Sequence, residues 1–213
     1  MDAAERYFQY SKDKVYLDKY PEQIIALDEL KDKRILDIGA GCGNDLIYLL
    51  EAGLSPKDLS YLDSNPRTYS YAKSKLMNKG LSEDNIFLAD GRGTGLRSSG
   101  FDVVYANNFI HCLGNIEEIQ RFFMEAYRLL DHDGIIAGRT LFNEIYMEEV
   151  RRLDKEDFHR YTAHLLEFGM LVGLEPSNLE SLAKPAGFSG FKYSIEDIPK
   201  RPIRNFYFRT EKR

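Results

Sequence analysis

The chain has 213 residues, 43% of them hydrophobic and 30% charged, which describes an ordinary globular protein with room for one sizeable α/β core. Its formal net charge of −5 argues against a surface built to neutralise nucleic-acid phosphates. No run approaches the roughly 18 apolar residues of a membrane span, and the stretch from Met1 to Asp13 is charged and aromatic where a secretory signal would be apolar. These features predict a cytoplasmic protein with no nucleic-acid or membrane partner. Two cysteines, Cys42 and Cys112, and four histidines, His111, His132, His159 and His164, show no metal-ligand spacing or disulfide framework, so no metal is expected.

In chain order, two helices are predicted first, Ala3 to Lys19 and Glu22 to Leu30. Short apolar runs then alternate with helical patterns, the signature of βαβ units feeding a doubly wound parallel sheet. Strands are expected at Arg34 to Ile38, Leu59 to Asp63, Asn85 to Ala89, Asp102 to Ala106 and Gly134 to Arg139. Helices are expected between them at Asp45 to Ala52, Pro66 to Lys79 and Ile116 to Leu130. Asn65 before Pro66 gives the second of these a cap and a preset first turn, and Asn115 with Glu118 resembles a capping box opening the third. A long helical stretch follows, Phe142 to Ala186, with a turn at Pro176 to Asn178. Two further strands close the chain, Gly190 to Ile195 and Asn205 to Arg209. The basic charges from Lys200 to Arg213 make the last strand read as a solvated edge. One domain is expected over 1–213, with an N-terminal helical part (1–30), a core (31–141), a helical insertion (142–186) and C-terminal strands (187–213).

The segment from Arg34 to Asp45 carries the most chemistry. It is a strand that ends in glycines at alternate positions, Gly39-Ala40-Gly41-Cys42-Gly43, and then opens a helix. Glycines at the first strand-to-helix turn suit a tight turn, and they also let backbone approach a ligand at the carboxyl end of the sheet. A dinucleotide fingerprint wants glycine three positions after its second glycine, and that place is Asn44 here. Asp37, just before the loop, would repel a pyrophosphate and attract a cationic amino acid head.

The pattern of acid, any residue, Gly, any, Gly, any, Gly is met at every place by Asp37, Gly39, Gly41 and Gly43. In it the chain resembles the class I S-adenosylmethionine-dependent methyltransferases, a likeness running from about Lys33 to Thr140. The resemblance implies a three-layer Rossmann-like fold: a seven-stranded, mostly parallel sheet with its last strand antiparallel, extra N-terminal helices and a helical insertion after strand 5. It implies S-adenosylmethionine as cofactor and S-adenosylhomocysteine as product. Asp63 closes the second strand where the family's acid accepts ribose hydroxyls, with Ser64 beside it. Asp90 matches the carboxylate that meets the adenine amino group, and Gly91 supplies the amide that meets the ring. Asn107, Asn108 and His111 follow the fourth strand, beside the methyl group and the acceptor. The Asn-Pro-Pro-aromatic signature of nucleic-acid adenine or glutamine methylation is missing there. The expected cofactor residues are therefore Asp37, Gly39, Ala40, Gly41, Gly43, Asp63, Ser64, Asp90, Gly91 and Asn107.

His111 is the candidate catalytic residue. Its unperturbed pKa would suit removal of an acceptor proton, and packing or loop hydrogen bonding is the alternative role. In-line attack on a sulfonium methyl depends mostly on positioning, which supplies roughly 7 to 11 kcal/mol, so a dedicated base is optional. The tyrosine-rich start (Tyr7, Phe8, Tyr10, Tyr16, Tyr20) reads as a lid or as packing. The insertion reads as a cap on the acceptor pocket, with Tyr146, Phe158, His159, Tyr161 and His164 either lining that pocket or packing the helical layer. The leading expectation is methyl transfer to an unidentified small molecule by a monomer or homodimer. A protein or peptide methyltransferase would need an acidic groove, for which the run Glu144 to Glu149 is slight. A non-catalytic nucleoside- or partner-binding module keeps the fold without turnover, and a nicotinamide oxidoreductase is disfavoured by Asn44 and Asp37.

Overall fold

The computed structural model describes residues 8–9, 12, 25–113, 115–142, 176–197 and 204–212. Seven strands, β1 (Ile35–Ile38), β2 (Leu59–Asp63), β3 (Ile86–Leu88), β4 (Phe101–Asn107), β5 (Leu130–Phe142), β6 (Phe188–Asp197) and β7 (Arg204–Lys212), form one sheet in the order β3-β2-β1-β4-β5-β7-β6. β1 to β5 pair in parallel, and β7 runs antiparallel to both β5 and β6. The helices are α1 (Leu27–Leu30), α2 (Asn44–Glu51), α3 (Pro66–Met77), α4 (Ile116–Leu129) and α5 (Pro176–Ala183).

Alternation along the strands divides the core into two layers. Leu36, Ile38, Leu62, Val104 and Ala106 pack with Phe122, Phe123 and Leu129 of α4 and Leu179 and Ala183 of α5. Ile35, Leu59, Tyr61, Val103 and Tyr105 pack on the opposite face with Leu46 and Leu49 of α2 and Ala72 and Leu76 of α3. Each helix is therefore placed by one apolar stripe, and helices cover both faces of the sheet. β1 runs next to β2 on one side and β4 on the other, so the chain reverses its winding direction there. The crevice at the carboxyl ends of β1 and β4 is the topological switch point where such sheets take ligands.

Several expectations shift. β7 is interior, between β5 and β6, and β6 is the edge. The charges of β7 are used inside the fold: Arg209 pairs with Glu29 at 3.0 Å, and Lys212 donates to the carbonyls of Tyr127 and Leu130 at 2.9 and 2.7 Å. β5 begins at Leu130, directly after α4, ahead of the expected start at Gly134. The segment Asp131 to Gly134 is an irregularity inside the strand: Phe101 faces Leu130, Val103 faces Ile135, and Asp133 has φ +60. Arg34 anchors it with ion pairs to Asp102 and Asp131, both at 2.8 Å. Asn115 caps α4 by accepting from the Glu118 N–H at 2.9 Å, but the Glu118 carboxylate pairs with Arg92, so the box is half formed. The helical stretch predicted from Phe142 starts with a strand residue, and its described part holds α5; residues 143–175 lie outside the described residues. No helix among the described residues is long and apolar enough to cross a membrane, and among them no cluster of His, Cys, Asp and Glu is placed to hold a metal.

Candidate cofactor and acceptor site

The loop after β1 is built on left-handed backbone. Gly39, Gly41 and Gly43 have φ of +70, +53 and +71, conformations that strain a side chain. A Cβ on Gly39 would lie 2.2 Å from the Phe109 ring. The loop is also tied to β2. The Gly39 and Ala40 N–H groups donate to the Leu62 carbonyl at 2.9 and 3.1 Å, and the buried Tyr61 hydroxyl donates to the Gly41 carbonyl at 2.7 Å.

Asp63 ends β2 against that loop. Its Oδ2 accepts from Gly41 N–H at 2.8 Å, and its Oδ1 accepts from Asn65 N–H at 2.8 Å and the Thr68 hydroxyl at 3.0 Å. Burial raises its pKa above the ordinary carboxylate value, opposed by those donors. Two lone pairs on each oxygen leave Oδ2 one acceptor position. The expected acceptance of two ribose hydroxyls thus competes with the carboxylate's work of holding the loop. Ser64, next in the chain, is exposed.

Three polar side chains meet at the switch point. Asp37 is 1% exposed, and its Oδ2 finds no hydrogen-bond partner among the described residues. Asn107, 8% exposed at the end of β4, donates from Nδ2 to Asp45 Oδ2 at 2.7 Å while its Oδ1 is also unpartnered among the described residues. Asp45 stands in the first turn of α2. Burial, with Asp45 and then Asp63 nearby, pushes the Asp37 pKa well up; burial also raises that of Asp45, opposed by Asn107 and Arg139. Buried acceptors without donors suit a cationic, hydrogen-donating ligand head, and the glycine loop beside them leaves room for backbone contact. These residues fit the amino acid end of S-adenosylmethionine.

Past β3, Asp90 is engaged by its neighbour. Arg92 donates from N–H and Nε to Oδ1, both at 2.9 Å, and from the guanidinium to Oδ2 at 2.5 Å, which lowers the carboxyl pKa. Gly91 is buried, and a Cβ there would meet Ile38 Cγ2 at 2.6 Å and the Phe109 ring at 3.0 Å. Phe109 therefore lies against both Gly39 and Gly91, joining the glycine loop to the loop expected to meet the adenine.

After β4, Asn108 adopts φ +55 and is fixed on two sides: its N–H donates to the Arg139 carbonyl at 2.7 Å, and its Oδ1 accepts from Arg139 Nε at 3.1 Å. His111 follows in a 3-10 turn, 3% exposed, with Nδ1 3.1 Å from Thr140 Oγ1. Burial and then the Arg139 charge lower its pKa to about 3, so the ring is neutral at physiological pH. Arg139 and Thr140, 5% and 0% exposed on β5, complete this side of the crevice.

At the N-terminus, Phe8 packs edge-on against Tyr71 of α3, with the Arg67 guanidinium 5.2 Å from its ring centroid. The Tyr71 hydroxyl donates to the Lys12 carbonyl at 3.1 Å. Part of the expected lid thus rests on the helix that follows Asp63. Tyr7, Tyr10, Tyr16 and Tyr20 lie outside the described residues, as do Tyr146, Phe158, His159, Tyr161 and His164. Sequence reasoning missed Asp45, Tyr61, Thr68, Phe109 and Arg139. Asp45 reads as a helix-dipole partner and Tyr61 as a strand former, and nothing local distinguishes them from either.

Residues 36–136 match a family model described as a methyltransferase domain. No curated protein sequence matches the chain. Among solved structures, an S-adenosylmethionine-dependent methyltransferase from Methanosarcina mazei superposes with TM-score 0.67 at 19% identity, over 92% of this chain and 99% of that one. Another such methyltransferase, from Thermotoga maritima, gives TM-score 0.65 at 16% identity, covering both chains fully. The trans-methyltransferase CalH, solved with S-adenosylhomocysteine, gives 0.63 at 19% identity over 88% of this chain and 53% of its own. At these identities the structural likeness establishes the fold.

Proposed function

We propose that this chain is a class I S-adenosylmethionine-dependent methyltransferase that methylates a small molecule at oxygen, nitrogen or carbon. The observation that carries this reading is the burial of Asn107, His111, Arg139 and Thr140 at the ends of β4 and β5, each 8% exposed or less, which favours a small acceptor over a polymer. The net charge of −5 and the sequence Asn107-Asn108-Phe109-Ile110, without prolines, give no support to a nucleic-acid acceptor.

S-adenosylmethionine supplies an electrophilic methyl on a positively charged sulfur. The chain's part is to bind and orient. Asp37 and Asn107 face the amino acid end, the Gly39 to Gly43 loop receives the backbone-close part of the ligand, and Asp63 takes a ribose hydroxyl with Ser64 beside it. Asp90 and Gly91 border the adenine. His111, neutral and held by Thr140, is a weak proton acceptor, so its part is to fix the turn after β4 rather than to remove a proton. An acceptor that arrives deprotonated, or that loses its proton to water after transfer, fits this arrangement. Residues 1–30 serve as the lid and 142–186 as the acceptor cap of a single cytoplasmic domain spanning 1–213.

The test is methyl transfer from S-adenosylmethionine to panels of small amines, phenols, carboxylates and activated carbon acids, read as S-adenosylhomocysteine formed above an acceptor-free control. Basic proteins and transfer RNA are included for comparison. Turnover with a small acceptor is expected. Turnover confined to protein or nucleic acid overturns the acceptor class, and cofactor binding without turnover on any panel favours the non-catalytic module.

A further inference from the structure

We propose that Asp45 is a second recognition residue for the cofactor, acting with Asp37 as counter-charge to the ammonium of its methionyl end. This rests on the reading that the site takes S-adenosylmethionine, and it adds a residue on α2 to those expected from the glycine loop.

Three elements bring acceptors to one place. β1 contributes Asp37 and β4 contributes Asn107, whose buried Oδ2 and Oδ1 have no partner among the described residues. α2 contributes the Asp45 carboxylate, steered by the Asn107 amide at 2.7 Å. An ammonium has three donors and no acceptor, which answers this set, whereas a carboxylate or phosphate would leave every one of these oxygens unmatched.

The surrounding charges agree. Asp63 and Tyr61 approach Asp37 from β2, and Tyr105 approaches Asp37 and Asp45 from β4; Arg139 on β5 is the cation that acts on Asp45. Among the described residues, three carboxylates against one guanidinium leave a surplus of negative charge that burial drives toward protonation. A cation entering between Asp37 and Asp45 reverses that push, so binding should expel protons from the pair.

The experiment is calorimetric titration of wild-type protein and Asp45→Asn with S-adenosylhomocysteine and with its deaminated analogue, which keeps the carboxylate and lacks the amino group. Asparagine retains an oxygen to accept from Asn107. The expected result is a roughly 10- to 100-fold weakening of S-adenosylhomocysteine in the variant, with the deaminated analogue unchanged to within about twofold. Equal weakening of both ligands, or of neither, overturns the proposal. Wild-type protein that binds neither ligand overturns the cofactor reading and this one with it. Should Asp45→Asn fail to fold, wild-type titrations in buffers of different ionisation enthalpy decide. Net proton release with S-adenosylhomocysteine but not with the deaminated analogue supports the pair, and the same proton balance for both overturns it.

Discussion

Tyr61 donates its hydroxyl to the Gly41 carbonyl at 2.7 Å, while the N–H of the same glycine donates to Asp63 at 2.8 Å. Two residues of β2, one strand away, thus fix both polar groups of the residue at the centre of the glycine loop. Removing the Tyr61 hydroxyl leaves a buried carbonyl without its donor. Tyr61→Phe is expected to lower stability by about 1 kcal/mol and to weaken cofactor binding about fivefold. Thermal denaturation and calorimetry read the two effects, and unchanged affinity would show that the loop holds its shape without this bond.

Gly39 and Gly91 both abut Phe109, but for different reasons. Gly39 combines φ +70 with a Cβ clash of 2.2 Å, whereas Gly91 lies outside the left-handed region and meets Ile38 Cγ2 at 2.6 Å. Gly39→Ala should abolish cofactor binding even when combined with Phe109→Leu, because the backbone strain remains. Gly91→Ala should be partly rescued by Ile38→Leu, which lacks the Cγ2 branch that the new Cβ would meet. Binding titrations on the four variants test the distinction; rescue of Gly39→Ala by Phe109→Leu would show that the clash alone matters.

His111 is protonated more readily in the unfolded chain, with the ordinary pKa of 6.5, than in the fold, where burial and Arg139 bring it to about 3. The unfolded state therefore binds more protons between these values, and stability from this group is lost as pH falls from about 6.5 toward 3. His111→Gln should flatten that part of the stability curve. It should also leave the pH profile of kcat/KM near neutrality unchanged, since a ring of such low basicity does not titrate there. A wild-type profile with an inflection near 6.5 that disappears in the variant would restore the general-base role.

Glu125 acts in a separate acid-sensitive contact. Its carboxylate accepts from Arg128 at 2.6 Å and from the Thr94 N–H at 2.8 Å, and the Arg128 contact leads in drawing its pKa from 4.5 to about 2. A depressed carboxyl pKa contributes stability above the unfolded value, and that contribution fades as pH falls from about 4.5 toward 2. Glu125→Gln should lower the midpoint of urea unfolding at pH 7 and bring variant and wild type together in acid. Parallel curves across the whole range would exclude the contribution.

The order of the βαβ core was readable because each strand is short, apolar and closed by Gly, Asp, Asn or Ser, and because helix α4 carries its stripe from Ile119 to Leu129 without interruption. The glycines and Asp37 marked the candidate site by local spacing. What could not be read depends on partners distant in sequence. Asp45 gains its meaning from Asn107, 62 residues on, and Tyr61 from Gly41. The interior place of β7 was hidden because Arg209 and Lys212 look solvated until Glu29 and the carbonyls at the end of α4 are seen to receive them. Asp131 to Gly134 misled for the converse reason: turn-forming residues were accommodated as an irregularity within β5.

The sheet order β5-β7-β6 also dictates a schedule for a chain made from its N-terminus. β6 pairs with β7 and not with β5, so when residues 188–197 leave the ribosome they have no edge to join until residues 204–212 follow. During that interval Phe191, Tyr193 and Ile195 stand as an unpaired aromatic and aliphatic strand, a segment prone to wrong association. Insertion of β7 settles both strands at once, and Lys212 latches the result to the carbonyls of Tyr127 and Leu130. Loss of the last few residues of β7 would therefore release not one strand but two, and would register in cells as a failure of maturation before it registered as a failure of catalysis.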